Sequence, residues 1–363
     1  MLTFIIFIIV ISVLVFVHEA GHFLFAKRAG MRVDEFGFGF PPRLWGFKKG
    51  DTIYSINWIP FGGFVKIHGE DGGHRSEADS FGSKSITARL KVVLAGVVMN
   101  FLFAALLLTV GNYLGLRIGL FTDAEISSAT NKAIQVIEVV ADSPAQKAGV
   151  EILDSIVGFR QDNGSIFTPA SVKDVQDFIL SHAGKTVTIV MKRPGQVQVF
   201  EYPIHLRALP PPGQGPLGVS LALTGVIAHP WYVAIWKGIY DAVLLTINTV
   251  LGYWMLLQKL FVSGKLGAEV SGPIGIATLT GQAARVGFSY LLQFIALISV
   301  NLAVLNVLPF PALDGGRALM LIIEKVRRKP LDKKIEGTIN AIGFAVLLIL
   351  MVLVTIKDIS KYL

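Results

Sequence analysis

Four stretches of the chain are apolar for about the width of a lipid bilayer. The first covers residues 1–26, whose single formal charge is Glu19, and three further runs contain no Asp, Glu, Lys or Arg: Val92–Leu116, Val286–Leu313 and Thr338–Ile356. A helix rises about 1.5 Å per residue and needs about 20 apolar residues to cross a bilayer. The pattern therefore predicts a polytopic α-helical membrane protein with about four transmembrane helices.

A fifth apolar stretch, Ala242–Leu257, is 16 residues long. This is below the usual length of about 20 residues for a crossing. We expect this stretch to lie on or dip into the outer face of the membrane. It would form part of a linker and surface helix over residues 211–285.

The region between the first two helices has the pattern of β-structure. Residues Phe36–Pro42 are rich in glycine and aromatics, Thr52–Ile59 alternates between apolar and polar positions, and Pro60–Lys66 contains two adjacent glycines. Alternation bounded by Gly and Pro is typical of short strands. Non-helical backbone at membrane depth needs cover from protein or water. We therefore expect residues 36–66 to form a membrane-dipping β-loop beside the first helix, within an N-terminal membrane part covering 1–116.

Residues 117–210 have the pattern of a separate α+β domain. Strands are predicted at Ile134–Val140, Ile152–Phe159 and Val197–Ile204, and Ser171–His182 has the period of an amphipathic helix. Pro194-Gly195 indicates a hairpin turn. Residues 210–216, Pro-Pro-Pro-Gly-Gln-Gly-Pro, look like the linker out of this domain. The last part, 286–363, would hold the third and fourth transmembrane helices.

Composition and charge agree with a membrane protein of defined sidedness. Hydrophobic residues make up 53% and charged residues 16% of the 363 residues, and the mean hydropathy is +0.61. Residues 27–91 hold eleven Lys/Arg against seven Asp/Glu and 317–337 hold seven against three, whereas 117–230 hold nine against ten. By the positive-inside rule the first two regions are cytoplasmic and the third is outside. The net charge of +8 thus follows topology and does not indicate nucleic-acid binding. Cysteine is absent, which excludes disulfides and thiolate ligands.

The first apolar run contains the pentapeptide His18-Glu19-Ala20-Gly21-His22. Residues four apart lie on one face of a helix, so both imidazoles can bind one zinc ion while Glu19 stands beside it as a base. Ionisable side chains in lipid are costly and usually functional. Length and flanking charges indicate a retained transmembrane helix that starts outside, and not a signal peptide. The motif predicts a metalloprotease with its site in the membrane.

A catalytic zinc usually has three protein ligands and one open position. The strongest candidate for the third ligand is Asp314, in the segment Asn306–Gly316, where prolines break an apolar run and two glycines follow the acid. A zinc-bound water has a lowered pKa, and Glu19 would take its proton and pass it to the leaving amine.

Blander interpretations exist for each of these residues. The histidine pair can be a chance match on a helix, and Asp314 can be a helix-capping acid. Surface or packing roles are expected for the other histidines, namely His68, His74, His182, His205 and His229.

Four segments together resemble the site-2 protease family of intramembrane zinc peptidases, in particular its bacterial regulator of sigma-E protease type. They are His18–His22, Ile59–Lys66, Ser271–Ala277 and Asn306–Gly316. In addition, Ala141–Val150 resembles part of a bacterial PDZ domain.

The resemblance implies zinc held by His18, His22 and Asp314, Glu19 as the base, and Asn306 near the substrate backbone. An interhelical hydrogen bond is the alternative for Asn306. It also implies a bacterial inner-membrane enzyme with the PDZ domain outside and the active site toward the cytoplasm. The substrates would be single-pass membrane proteins already shortened outside, such as anti-sigma factors or signal-peptide remnants.

Two departures from the family pattern are visible. There is room for one PDZ domain where family members can carry two, and Leu153-Asp154 stands where such domains usually have Gly-Asp. An alternative function is a non-catalytic membrane scaffold of the same fold that acts through its PDZ domain. The presence of Glu19 and all three candidate ligands favours the enzyme.

The order of crossings supports the surface position of Ala242–Leu257. If this segment crossed the membrane, Val286–Leu313 would run outward and carry Asp314 to the face opposite the histidines. Without that crossing, the run delivers Asp314 to their depth and leaves the basic residues 325–334 in the cytoplasm, as the positive-inside rule requires.

Overall fold

The computed structural model describes residues 2–71, 73–74, 76–161, 164–196, 198–263, 271–329 and 331–360. The chain forms two compact units. The membrane unit comprises residues 1–110, 235–284 and 291–363, and the sheet unit comprises residues 111–234 and 285–290.

The membrane unit begins with two long antiparallel helices and a β-hairpin between them. The elements are α1 (Leu2–Arg28), β1 (Val33–Lys49), β2 (Thr52–Ile67) and α2 (Ile86–Leu114). The helices touch through a small residue, since a Cβ atom on Gly21 would lie 2.5 Å from the carbonyl oxygen of Ala95. Such contacts are typical of helix pairs in membranes, where small residues let backbones approach.

The hairpin folds back on itself, so that β1 and β2 form four short strand segments. Phe36 pairs with Val65 on one side and with Tyr54 on the other, which places residues 33–38 between 63–67 and 53–56. The outer segment 43–49 pairs with 52–57. The bends fall near the Pro41-Pro42 pair and Pro60, where proline cannot continue a ladder. The predicted β-structure of residues 36–66 is confirmed, and its depth in the membrane stays a prediction.

The second bend of the hairpin lies against the middle of α1. The buried hydroxyl of Ser12 donates a hydrogen bond to the carbonyl oxygen of Pro60, and a Cβ atom on Gly62 would lie 2.7 Å from Val15. The distal half of the hairpin exposes large apolar side chains, among them Leu44, Trp45, Phe47, Trp58 and Phe61.

The sheet unit is built around one antiparallel sheet. In chain order its elements are β3 (Leu116–Gly119), α3 (Asp123–Ser128), β4 (Thr130–Val139), α4 (Pro144–Lys147), β5 (Ser155–Arg160), β6 (Ile166–Phe167), α5 (Val172–Ser181), β7 (Thr186–Lys192), β8 (Val199–His205) and β9 (Val219–Ile227). The described strands follow the order β3-β9-β4-β5-β7-β8, with β6 beside β5. Phe159, Ile189 and Val175 are fully buried between the sheet and α5.

The predicted end of this domain at residue 210 is wrong. The proline-rich segment 210–216 leads into β9, which lies between β3 and β4 and so belongs to the same sheet. A loop that returns the chain to the sheet has the same composition as a linker between domains. The predicted helix at Ser171–His182 is confirmed as α5, with Ser171 as its N-cap. Val197, the predicted start of the last strand, lies outside the described residues.

The rest of the chain is helical. The elements are α6 (Trp231–Ser263), α7 (Pro273–Val286), α8 (Phe288–Val307), α9 (Asp314–Arg327) and α10 (Lys333–Ser360). Within the described residues, five helices are long and apolar enough to cross a membrane: Leu2–Arg28, Ile86–Leu114, Trp231–Lys259, Phe288–Val307 and Lys334–Ser360. The chain is therefore an integral membrane protein.

The prediction that the Ala242–Leu257 helix is too short to span is wrong. The apolar run is bounded by Asp241, but α6 continues on both sides and is 33 residues long. Asp241 lies one turn after Lys237, and its Oδ1 atom is 3.9 Å from Nζ of Lys237. Such i,i+4 pairs are tolerated inside a continuous helix.

The direction of α8 agrees with the predicted order of crossings. Ile298 packs with Val10 and Leu14 of α1, and the hydroxyl of Ser299 donates to the carbonyl oxygen of Asn100 in α2. The chain then continues past Val307 toward the level of the α1 histidines, so α8 runs parallel to α1 and antiparallel to α2.

A buried carboxylate joins α7 to the far end of α10. Asp358 is 2% exposed, and its Oδ2 atom accepts the backbone N–H of Gly275 at 2.8 Å. A Cβ atom on Gly272 would lie 2.8 Å from the same oxygen. A carboxylate is stabilised at a helix N-terminus by the free N–H groups and the helix dipole. This contact explains the glycines of the Ser271–Ala277 motif.

Replacing Asp358 with Ala should lower the free energy of unfolding by about 1–2 kcal/mol, because the first turn of α7 loses its acceptor. The measurement is the midpoint of thermal unfolding of the purified protein in detergent. Asp358→Asn, which keeps an oxygen acceptor, should give an intermediate value. Lys357→Ala changes an exposed neighbour and serves as control. Equal midpoints for wild type and Asp358→Ala would exclude this role.

Candidate metal centre and catalytic site

Three candidate ligand atoms converge in the membrane unit. His18 and His22 lie one turn apart on α1, each 8% exposed, and their Nε2 atoms are 3.2 Å apart. Asp314, the first residue of α9, places Oδ2 at 3.0 Å from Nε2 of His18 and at 3.4 Å from Nε2 of His22. The structure thus brings the histidine pair of α1 together with Asp314, which is almost 300 positions away in the sequence.

This arrangement fits a zinc ion. Ligand atoms held tetrahedrally at about 2.0–2.1 Å from one zinc lie about 3.3–3.4 Å apart, close to the three separations above. Asp314 Oδ2 is buried and makes no hydrogen bond of acceptable geometry in the described part of the chain, although both imidazole nitrogens are near. Two imidazoles and one carboxylate form a common catalytic zinc set.

Groups on α2 orient the two imidazoles. The carbonyl oxygen of Val92 lies 2.8 Å from Nδ1 of His22, which fixes the proton on Nδ1 and leaves Nε2 free to bind a metal. The amide of Asn100 lies 3.3 Å from Nδ1 of His18.

Asn100 is fully buried, and its Oδ1 atom has no partner in the described residues. The oxygen and nitrogen of an amide are assigned from their surroundings. Exchanging them would let Oδ1 accept the Nδ1 proton of His18. Sequence reasoning missed Asn100, and the available signal was a polar side chain inside the apolar run Val92–Leu116.

Glu19 lies beside the candidate ligands and against the hairpin. A carboxylate oxygen of Glu19 and one ring nitrogen from each histidine all lie within 4.8 Å of one another. Oε2 of Glu19 also accepts the backbone N–H of Val65 at 3.1 Å. This bond holds the carboxylate between the candidate ligand atoms and residues 62–67 of β2.

The start of α9 is tightly packed. A Cβ atom on Gly315 would lie 2.2 Å from the carbonyl oxygens of Val307 and Leu308, and one on Gly316 would lie 2.2 Å from that of Phe310. The glycine pair therefore lets the first turn of α9 pack on the segment before it.

Two ion pairs hold α9 in place. Arg317, one turn after Asp314, donates to Glu70 at 2.5 Å. Farther along, Arg89 of α2 and Glu324 form a buried pair at 2.7 Å. The position of Asp314 is thus tied to both α2 and the segment that follows β2.

The family model for peptidase family M50 matches residues 6–350. The chain belongs to peptidase family M50. A protein of Clostridium perfringens, a zinc metalloprotease by prediction, is 37% identical over 353 residues, which is 96% of each chain. The zinc metalloprotease RasP of Geobacillus kaustophilus is 28% identical over 437 aligned positions, covering 98% of this chain and 97% of the relative. The regulator of sigma-W protease RasP of Bacillus subtilis is 28% identical over 444, covering 99% and 98%.

The expected family is thereby confirmed, and the M50 chain is a membrane zinc metalloprotease. This favours the enzyme over the alternative of a non-catalytic scaffold. Both of the first two relatives are zinc metalloproteases by name.

The remaining residues singled out in the sequence lie away from the three ligand atoms or show no contact that defines a role. Asn306 is half-buried near the end of α8, eight residues before Asp314, and no side-chain hydrogen bond is described for it. His68 is buried with Nε2 2.8 Å from Glu77, and His182 packs on Phe178. His68, His74 and Glu77 lie close together, but Arg32 contacts the His68 ring at 2.6 Å.

Gly96 of α2 faces the candidate metal centre of this M50 peptidase. A Cβ atom there would lie 2.5 Å from Nε2 of His22 and 2.7 Å from Nε2 of His18. Gly96→Ala should therefore displace both imidazoles and lower bound zinc to well below one ion per chain, measured by elemental analysis of the purified protein. Gly252→Ala makes the same change in α6, where a Cβ atom meets nothing within 4 Å, and should retain zinc. Full zinc content in Gly96→Ala would show that the site tolerates the methyl group.

Proposed function

We propose that this M50 chain is an intramembrane zinc endopeptidase that cleaves single-pass membrane proteins already shortened on their outer side. The observation that carries the proposal is the meeting of His18, His22 and Asp314 at 3.0–3.4 Å inside an apolar helix bundle. The three residues would hold zinc, and Glu19 would be the catalytic base.

When bound, zinc would polarise the scissile carbonyl and lower the pKa of a water molecule. Glu19 takes a proton from the attacking water and donates it to the amine that leaves. The Val65 N–H keeps the Glu19 carboxylate directed at this position, and the contacts of Val92 and Asn100 keep the imidazoles from rotating.

Residues 62–67 of β2 form the proposed docking edge for substrate. A helical substrate hides its peptide bonds in its own hydrogen bonds and must unwind before attack. On one side this segment pairs with residues 33–38, and on the other Val65 directs its N–H toward Glu19. An unwound substrate can add to such an edge as a further strand. Asn306 would then hold the substrate backbone near the metal.

The sheet unit is the proposed PDZ domain, and it would restrict access to trimmed substrates from the outer side. Leu153 has φ +74, a conformation that favours glycine, which agrees with the glycine that PDZ domains usually have there. The next residue, Asp154, is buried and accepts two hydrogen bonds from Arg193 at 2.9 Å. The turn therefore keeps its shape without glycine.

We further propose four complete crossings, with α6 entering the membrane without crossing it. A Cβ atom on Gly238 of α6 would contact Thr109 near the end of α2, and Tyr253 donates to Asn301 in α8 at 2.7 Å. The connection from Ser263 to Ser271 has eight residue steps, which reach about 26–29 Å at most. That is no more than the thickness of the hydrocarbon core, about 30 Å. If α6 crossed completely, this connection would be too short to bring the chain back to the side where α7 and α8 begin.

Glu19→Gln should keep the zinc content of the wild type and reduce cleavage of a model single-pass substrate by several orders of magnitude, because the base is lost. His18→Ala and Asp314→Ala should lose both zinc and cleavage. The measurements are elemental analysis and gel-based cleavage by the purified protein.

Ser12→Ala, which removes a hydroxyl away from the ligand atoms, is the control that should retain zinc. Near-normal cleavage by Glu19→Gln would remove Glu19 from the mechanism. Full zinc content in Asp314→Ala would remove Asp314 from the ligand set.

The sidedness can be tested by cysteine labelling, since the chain has no cysteine. Lys185→Cys in the sheet unit should react with a membrane-impermeant maleimide in intact spheroplasts. Lys329→Cys after α9 should react only after the membrane is opened. Both residues are exposed. The reverse pattern would overturn the proposed orientation.

A further inference from the structure

The sheet unit contains a groove that the proposed catalysis does not use. Its volume is about 730 Å³, and its walls come from β4, β5, the end of β7, residues 168–170 and residues 286–290. Sites for small ligands and peptides occupy roughly 300–1,000 Å³. The groove is thus large enough for several residues of an extended chain.

The groove exists because β4 and β5 diverge. Their ladder consists of the pairs Ile134–Ile156 and Gln135–Ser155, and the register of β4 against β9 shifts between Thr130 and Ala133. Asn131, at this shift, has φ +48. The first residues of β4 therefore stand away from β5, and their backbone on this side is not part of the β4–β5 ladder.

The charges along this groove have one sign. Residues 117–230 hold nine Lys/Arg and ten Asp/Glu. Four of those nine cations line the groove, namely Arg117, Lys132, Lys192 and Arg193, and no acidic residue of the described chain does. A domain with balanced charge thus concentrates its cations on one concave surface.

Within the described residues, three of the four cations form no ion pair. Arg193 is paired with Asp154 and Glu151 at 2.8–2.9 Å, and its hydrogen bonds to Asp154 raise the pKa of its guanidinium. In the described part of the chain, neither Lys132 nor Lys192 is in an ion pair, and both are exposed.

Arg117 is held by neutral groups. It donates to Thr224 at 3.1 Å, and Thr224 donates to Gln135 at 2.8 Å. The hydroxyl of Tyr290 lies 3.5 Å from the Gln135 amide. The charge of Arg117 is therefore positioned before any ligand arrives, which lowers the entropic cost of binding.

We propose that this groove binds an extended acidic segment of a protein. Apolar side chains lie between the cations, among them Ile134, Ile156 and Val286. They suit a chain in which acidic and apolar residues alternate, whereas a phosphate or lipid headgroup would use the cations alone. The diverging strands offer backbone groups to such a chain as well. This surface is separate from the metal centre, so the inference does not depend on the proposed catalysis.

The experiment uses the full-length protein in nanodiscs of zwitterionic phosphatidylcholine. The probe is a fluorescein-labelled peptide of alternating Glu and Val with both termini blocked, so that no terminal carboxylate contributes. Fluorescence anisotropy should show saturable binding that weakens with salt, and the matched Gln-Val peptide should bind about tenfold more weakly.

Reversing both free lysines, Lys132→Glu with Lys192→Glu, should weaken binding of the Glu-Val peptide by about tenfold or more. The control pair Lys173→Glu with Lys185→Glu makes the same change in net charge on exposed residues outside the groove. It should bind nearly as well as wild type. Unchanged zinc content and thermal midpoint show that each variant is folded. If the Lys132→Glu, Lys192→Glu variant is not folded, the milder pair Lys132→Gln with Lys192→Gln takes its place.

Equal weakening by the two pairs would reduce the effect to net charge and overturn the proposal. So would equal affinity for the two peptides. Displacement of the peptide by inorganic phosphate, or a preference of the same lysines for phosphatidylglycerol vesicles over the peptide, would assign the groove to a simple anion or to lipid.

Discussion

The close approach of α1 and α2 is the constraint on which the rest of the site depends. Glycine at positions 21 and 96 removes the two Cβ atoms that would separate the helices or collide with the imidazoles. The contact also places the Val92 carbonyl and Asn100 where they orient His22 and His18. Ionised carboxylates in an apolar bundle are costly. When ionised, Glu19 and Asp314 would contribute two negative charges, which one divalent cation would balance, so binding of zinc would stabilise these buried acids.

The third candidate ligand is placed by contacts that span most of the chain. Asp314 begins α9, and that helix is held by Arg317 on Glu70 and by Arg89 on Glu324. Losing one partner of a buried pair costs about 3–5 kcal/mol, because the other charge is left unpaired. Binding of a metal by Asp314 would therefore be coupled to the packing of α9. A change at Arg89 of α2 can alter the position of Asp314, which Arg89 never touches.

Local patterns in the sequence carry much of this structure. The apolar runs predicted the helices that begin at Leu2, Ile86, Phe288 and Lys333, and the alternation over 52–59, bounded by Gly and Pro, predicted β-structure within 36–66. What failed was non-local. The strand β9 follows a proline-rich loop and is defined by its pairing with β3 and β4. The length of α6 is a local exception, since Asp241 ends the apolar run in the sequence but lies inside the helix, one turn after Lys237. Asn100 gains its role from His18, 82 positions away.

The position of Glu19 follows from the two faces of α1. Ser12, Val15, Phe16 and Phe23 face the hairpin through Pro60, Gly62 and Phe36, whereas Leu14, His18 and Gly21 face α2 and α8. Successive residues of a helix differ by about 100° in direction. Consecutive residues 18 and 19 can therefore contact different partners: Glu19 accepts the Val65 N–H, whereas His18 lies beside Asn100 on the other side of the helix. The same spacing that suits two imidazoles and one metal thus puts the proposed base at the boundary between the helix pair and a β-edge. That boundary is where an unwound substrate strand would lie.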